Sequence, residues 1–241
     1  MKTAIISDLH GNAVAVREVL ASIEKAGIDR IICLGDIIGY GPEPEAVMAT
    51  IIKLNIPTII GNHELAIKQP AFLEWFNPNA RISLEKTREM LSEESLAFID
   101  NMPNAITENG CRFVHGYPPD SPTIYLFEVP DERLEETLEE MEEHVCFVGH
   151  THELILVSVQ GDEIERRILQ REVINLAPDK KYIINSGSVG QPRDGNNYAK
   201  YLIYDHGKDQ VAIKYVPYNI NETIGKIYQA GLPEQHAWRL L

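Results

Sequence analysis

The chain has 241 residues, of which 44% are apolar and 24% charged, ordinary values for a globular protein long enough to bury a sizeable core. A formal net charge of −14 excludes a broad surface for long DNA or RNA, whose nonspecific affinity comes from clustered Lys and Arg. No stretch approaches the roughly 20 apolar residues of a membrane span, and no cleavage-site pattern follows the first residues, so a cytoplasmic protein without membrane contact is expected.

In chain order, continuous apolar runs of strand length alternate with helical periodicity, as parallel strands covered on both faces read. Ala4 to Ile6 is the first run. Val16, Val19, Leu20 and Ile23 then recur at helical spacing before Gly27, which is placed to stop the helix. Ile31 to Leu34 reads as the second strand. Pro42 and Pro44 suit the first turn of a helix carrying Val47, Ile51 and Leu54, and Pro57 precedes a short strand at Thr58 to Ile60. The pattern is βαβαβ with right-handed crossovers.

Residues 79 to 101 read as mainly helical. Phe72, Trp75 and Phe76 just before them read as core packing, with a substrate-pocket wall as the alternative. Cys111 to Val114 is an apolar run, followed by Tyr117 to Pro130, YPPDSPTIYLFEVP, either a plain connection or a selectivity wall for an aromatic-bearing ester. Asp131 to Glu143 predicts an acidic helix that docks through Leu134, Leu138 and Met141. After the run Val145 to Val148 the pattern changes to short alternating strands: Leu154 to Val159, a turn at Gln160-Gly161-Asp162, Glu163 to Leu169, Tyr182 to Ile184, Tyr198 to Tyr204 and Gln210 to Val216. These predict a second, largely antiparallel sheet stacked on the first. No linker divides the chain, so one domain over residues 1–241 is expected. Cys33, Cys111 and Cys146 sit inside apolar runs and read as buried free thiols.

Metal-ligand residue types collect at the ends of the apolar runs. Asp8 and His10 follow the first, Asp36 the second, Asn62 and His63 the third, His115 the fourth, and His150 and His152 the fifth. Strand carboxyl ends in an open α/β sheet form one rim, so these side chains are expected to converge. Five of the eight histidines lie there; His144, His206 and His236 are expected at the surface. Glycines 11, 35, 61, 116 and 149 flank the same positions, as sharp turns around a crowded centre require. Carboxylate, imidazole and amide donors without cysteine suit borderline divalent ions such as Mn²⁺, Fe²⁺ or Zn²⁺. Six or seven donors exceed what one such ion takes, so two ions sharing a carboxylate are expected.

The motifs SDLHGN, LGDIIG, GNHE, VHG and GHTH, in that order over residues 7 to 152, together with NSGSVGQPRDG at 185 to 195, resemble the calcineurin-like metallophosphoesterase superfamily in its small bacterial and archaeal phosphodiesterase branch. The resemblance implies an α/β fold, a four-layer α/β/β/α sandwich of two stacked mixed sheets. It implies that Asp8, His10 and His152 hold one metal, that Asn62, His115 and His150 hold the other, and that Asp36 bridges them. His63 would be the proton donor to the leaving oxygen, with Asn62 beside it in the catalytic machinery. Two divalent ions per chain are implied, Mn²⁺ first, with Fe²⁺, Zn²⁺ or Ni²⁺ as alternatives, and a bridging hydroxide as nucleophile.

The implied activity is that of a phosphodiesterase or phosphatase on a small phosphoester, a nucleotide or dinucleoside polyphosphate among the candidates. The alternatives are a serine/threonine phosphoprotein phosphatase and a noncatalytic scaffold of the same fold. Phosphoprotein phosphatases carry arginines where Tyr40 and Leu65 stand here, which speaks against the first alternative. Tyr40 and Arg193 are the candidate substrate contacts, with a structural salt bridge as the other reading of Arg193. A homo-oligomer is left open.

Overall fold

The computed structural model describes residues 1–161 and 163–241; the expected turn residue Asp162 lies outside the described residues. In chain order the elements are β1 (Lys2–Ile6), α1 (Ala13–Lys25), β2 (Arg30–Cys33), α2 (Pro44–Lys53), α3 (Asn62–Lys68), α4 (Pro78–Met90), α5 (Glu93–Asp100), β3 (Ala105–Glu108), β4 (Cys111–Val114), α6 (Asp131–Glu140) and β5 (Val145–Val148). Then follow β6 (Ile155–Gln160), β7 (Glu163–Ile168), β8 (Val173–Asn175), β9 (Lys181–Asn185), β10 (Ala199–Asp205), β11 (Gln210–Val216), α7 (Ile220–Gln229) and α8 (Gln235–Trp238). No helix among the described residues is long and apolar enough to cross a membrane.

Two mixed sheets form, in the orders β2-β1-β10-β11-β8 and β3-β4-β5-β9-β6-β7. In the first, β1 and β2 are parallel and the remaining pairs antiparallel; in the second, β4, β5 and β9 run parallel. The apolar runs are continuous because both strand faces are buried. Ala4 and Ile6 face α1 and α2, whereas Ile5 joins Ile32, Phe113, Phe147, Ile184 and Leu202 in the layer between the sheets. Cys146 and Val148 face outward again, against Leu134 and Leu138 of α6. The layers are thus helix, sheet, sheet, helix.

Three expectations are corrected. The late strands do not make a sheet of their own: β10 and β11 extend the first sheet from β1, and β9, β6 and β7 extend the second from β5. Each early parallel set leaves one edge of unpaired peptide groups, and the late strands cover it. Residues 58–60 are no full strand; Thr58 makes one parallel bridge to Cys33, and Ile60 then donates to Pro103 O instead. The three cysteines are free and buried. His144 and His206 are partly exposed as expected, but His236 is buried, with 2% exposed, beneath the ring of Tyr40.

Candidate metal centre

The rim where the donors meet belongs to two sheets. Asp8 and His10 leave β1 and Asp36 leaves β2 in the first sheet; His115 leaves β4 and His150 and His152 leave β5 in the second. Asn62 and His63 open α3. Packing β1 against β5 through the shared apolar layer therefore brings the two sets face to face, and Gly149, on the β5 loop, lies against Ser7 Oγ and Asp8 Oδ2 with no space for a Cβ. Gly61 is held equally close to Asp36: a Cβ there would stand 2.1 Å from Oδ1.

All seven expected donors converge. Ligand atoms of Asp8, His10, Asp36 and His152 lie within 4.8 Å of one another, as do those of Asp36, His115 and His150, so Asp36 is common to both groups. His10 Nε2 and His152 Nε2 are 3.0 Å apart, and His152 Nε2 is 3.2 Å from Asp8 Oδ1. His115 Nε2 is 3.3 Å from Asp36 Oδ2 and 3.1 Å from Asn62 Oδ1. Apart from Asn62, which is half-buried, these side chains are 4% exposed or less.

The imidazoles are oriented by backbone carbonyls. Nδ1 of His10 pairs with Ile38 O at 3.0 Å, that of His115 with Leu34 O at 2.7 Å, and that of His152 with Gln191 O at 2.5 Å. A ring whose Nδ1–H donates outward must present the Nε2 lone pair inward, the tautomer that a metal requires. His150 is reversed: its Nε2 meets Thr123 O at 3.2 Å, which leaves Nδ1 for the centre. Asp8, His10, Asp36, Tyr40, His150 and His152 all have φ between 46° and 69°. Such left-handed residues cost roughly 1–3 kcal/mol each, and six of them around one centre mark a functional site rather than a stability device.

Electrostatics agree with this geometry. Burial alone would raise the Asp36 carboxyl, but His115 and His63 hold it well below the usual range, and Asp8 is lowered in the same way by His152. Despite its burial, His115 is raised to about 9 by Asp36. Burial keeps three others neutral: His10 falls well below its ordinary value, His150 to about 3 and His63 to about 4. Two buried carboxylates among mostly neutral imidazoles form an anionic cage, and a divalent cation would replace the His115 proton as its counter-charge. The donor set fits a metal.

His63 stands beside the cage, its Nε2 3.9 Å from Asp36 Oδ2 and its Nδ1 buried without a hydrogen-bond partner among the described residues. Its own N–H donates to Asp36 Oδ1 at 2.9 Å. Tyr40 lines a cavity beside Asn62 and His150 and is 8% exposed. Its ring is wedged 4.5 Å from both His10 and His63, with His236 at 4.8 Å behind it. Arg193 is exposed, has no ion-pair partner among the described residues, and lies 5.8 Å over the Tyr40 ring with Nη2 donating to Gln191. The salt-bridge reading of Arg193 is thereby set aside.

Three supports were not assigned from the sequence. Glu64, wholly buried, accepts from the backbone N–H groups of Asp36, Ile37, Ile38 and Gly61 at 2.8–3.2 Å and shapes the Asp36 turn. Asn185 donates to Gly149 O and Thr151 Oγ1 and holds the GHTH loop. Glu64 lies inside GNHE and Asn185 opens NSGSVG, so both stood in quoted motifs, but a hydrogen bond to a distant backbone has no periodic signature. His236 lies in a stretch without a motif. A cavity of about 180 Å³ opens beside Asn62 and His150 and is lined by Phe72, Trp75 and Phe76 as well as Thr123 and Tyr125. The aromatic cluster is thus a cavity wall, although Phe72 and Phe76 also pack on the core, and Thr123 and Tyr125 of the Tyr117 to Pro130 segment line the same cavity.

Comparison with known proteins gives a consistent result. A family model described as the calcineurin-like phosphoesterase superfamily domain matches residues 1–209. An uncharacterized protein of Methanocaldococcus jannaschii is 37% identical over 240 residues, covering 98% of this chain and 96% of its own. The crystal structure of a metallophosphoesterase from Sphaerobacter thermophilus superposes with a TM-score of 0.85 at 35% identity, covering 100% of this chain and 98% of that one. A hypothetical protein from Pyrococcus horikoshii shares the fold, with a TM-score of 0.81 at 19% identity over 99% of this chain and 97% of its own.

Proposed function

The chain belongs to the calcineurin-like phosphoesterase superfamily and is a metal-dependent phosphoesterase, and from that premise we propose that it hydrolyses small phosphoesters, as a phosphodiesterase or phosphatase, with two divalent cations side by side. The observation that carries this reading is the pair of donor groups meeting at Asp36. Asp8, His10 and His152 would hold one cation, and Asn62, His115 and His150 the other, with Asp36 shared. The donor types suit Mn²⁺ first, and Fe²⁺, Zn²⁺ or Ni²⁺ after it.

Bound cations of this kind supply Lewis acidity toward phosphate oxygens and make water a nucleophile near neutral pH. The chain's own residues do the rest. Carbonyls of Leu34, Ile38 and Gln191 keep three imidazoles in the donor tautomer, and Glu64 holds the Asp36 turn. His63, fixed by its backbone N–H bond to Asp36 Oδ1, would pass a proton to the departing alkoxide from its protonated form, whose population burial keeps small. Burial of the cage excludes bulk water, and the confined cavity together with the acidic net charge supports a small substrate rather than long nucleic acid. Tyr40 and Leu65, standing where phosphoprotein phosphatases carry arginines, support the same choice. Three buried free thiols fit a reducing compartment such as the cytoplasm.

Hydrolysis of bis(p-nitrophenyl) phosphate tests the reading. Turnover should require Mn²⁺, disappear on chelation, and fall by at least about a hundredfold in Asp36→Asn, since even supporting residues of a metal site are worth 10–100-fold. Metal-independent turnover, or full activity in Asp36→Asn, would exclude it.

A further inference from the structure

The cavity beside Asn62 and His150 has walls of an unusual kind. On one side Phe72 and Trp75 meet at 4.8 Å, and Phe76 stands edge-on to His63 at 5.0 Å. On the other, Tyr125 stacks on His150 with ring centroids 3.8 Å apart and planes 20° apart. Trp75 is 72% exposed at the rim, so a large apolar ring is held in water where core packing does not require it. No Asp, Glu, Lys or Arg among the described residues lines the space. An exposed cation, Arg193, stands beside it, 5.8 Å over the ring of Tyr40, itself part of the lining.

We propose that this cavity is a subsite for an uncharged planar ring carried on the ester group of the substrate, an aryl group or a nucleobase, directly beside the phosphate. The inference rests on the phosphoesterase reading for the position of the phosphate, at Asn62, His150 and Asp36. From there the ring would enter the space that Phe72, Trp75, Phe76 and Tyr125 line. Selection is by stacking and shape, because aromatic faces accept any flat ring.

Phosphonates, whose C–P bond resists hydrolysis, separate the ring from the phosphate in calorimetric titration of the Mn²⁺-loaded protein. Benzylphosphonate carries an aryl ring, the phosphonate analogue of adenosine monophosphate a nucleobase, and methylphosphonate no ring. One ring-bearing ligand should bind roughly 5- to 150-fold tighter than methylphosphonate, the range expected for one stacked ring, and the stronger of the two identifies the ring. In Trp75→Ala and in Phe72→Ala that ratio should fall to less than half. A ratio below fivefold for both ring-bearing ligands, or one that survives both substitutions, overturns the proposal. The ratio is taken within one preparation, so partial misfolding cancels. A large ratio in a protein that fails to hydrolyse bis(p-nitrophenyl) phosphate would uphold the subsite and place the fault with the hydrolytic reading.

Discussion

His63 and Asp36 differ in what their loss should do, although they touch. Asp36 belongs to both donor groups, whereas His63 reaches the cage only through its edge and contributes no atom to either. His63→Ala should therefore lower kcat by about 10²- to 10⁴-fold, the usual worth of a positioned acid, while metal content by elemental analysis stays unchanged. A variant that also loses metal would make His63 a structural support instead. His236 makes a second case at this scale. Burial holds it down to about 4, below the ordinary 6.5, so the folded protein keeps it neutral while the unfolded chain takes up a proton below pH 6.5. Stability should thus fall as pH drops from about 6.5 toward 4, because the unfolded state binds the extra proton. His236→Phe should flatten that slope, read as the pH dependence of the Tm difference between the two proteins.

At the level of elements, the site is assembled by loops that caps hold in place. Asn12 shows how: its Oδ1 accepts from Ala15 N–H at the start of α1 and from Thr223 Oγ1 of α7, while its Nδ2 donates to Gly190 O in the loop that follows β9. Ser188 in that loop donates in turn to Asp8 O. One buried amide thus ties a helix N-terminus, a distant helix and the Asp8 turn. Asn12→Ala should cost about 1–2 kcal/mol, in the upper range for an N-cap because two further partners are left unpaired, measured as a shift in urea midpoint at constant m. Asn12 was given no role from the sequence, and its link to Gly190 had no local signal, because 178 residues separate the two.

For the whole molecule, the anionic cage is both the function and a weakness. Asp8 and Asp36 are buried close together, and without a cation protonated His115 and the backbone N–H groups of His63 and His150 offset them. Chelation should lower Tm, and added Mn²⁺ should restore it with a dependence on free ion concentration, since a ligand that binds only the folded state stabilises by mass action. The unfolding should remain a single transition, as expected if residues 1–241 form one domain: β10 pairs directly with β1, and Lys226 of α7 pairs with Glu43 ahead of α2. A Tm indifferent to chelation would contradict the cation as counter-charge, and two transitions would contradict the single domain.

Local chemistry was legible from the residues themselves. Runs such as Ala4 to Ile6 and Val145 to Val148 have no polar residue at alternate positions, which commits both faces to burial. The donors after them had to emerge at strand ends, so the group around Asp36 could be anticipated as a set. Only the tertiary structure decided that these strands belong to two sheets, that the late hairpins complete both instead of forming their own, and that Phe72, Trp75 and Tyr125 line one cavity. Periodicity reports which face of an element avoids water. It carries no information on which other element, a hundred residues away, supplies the covering surface.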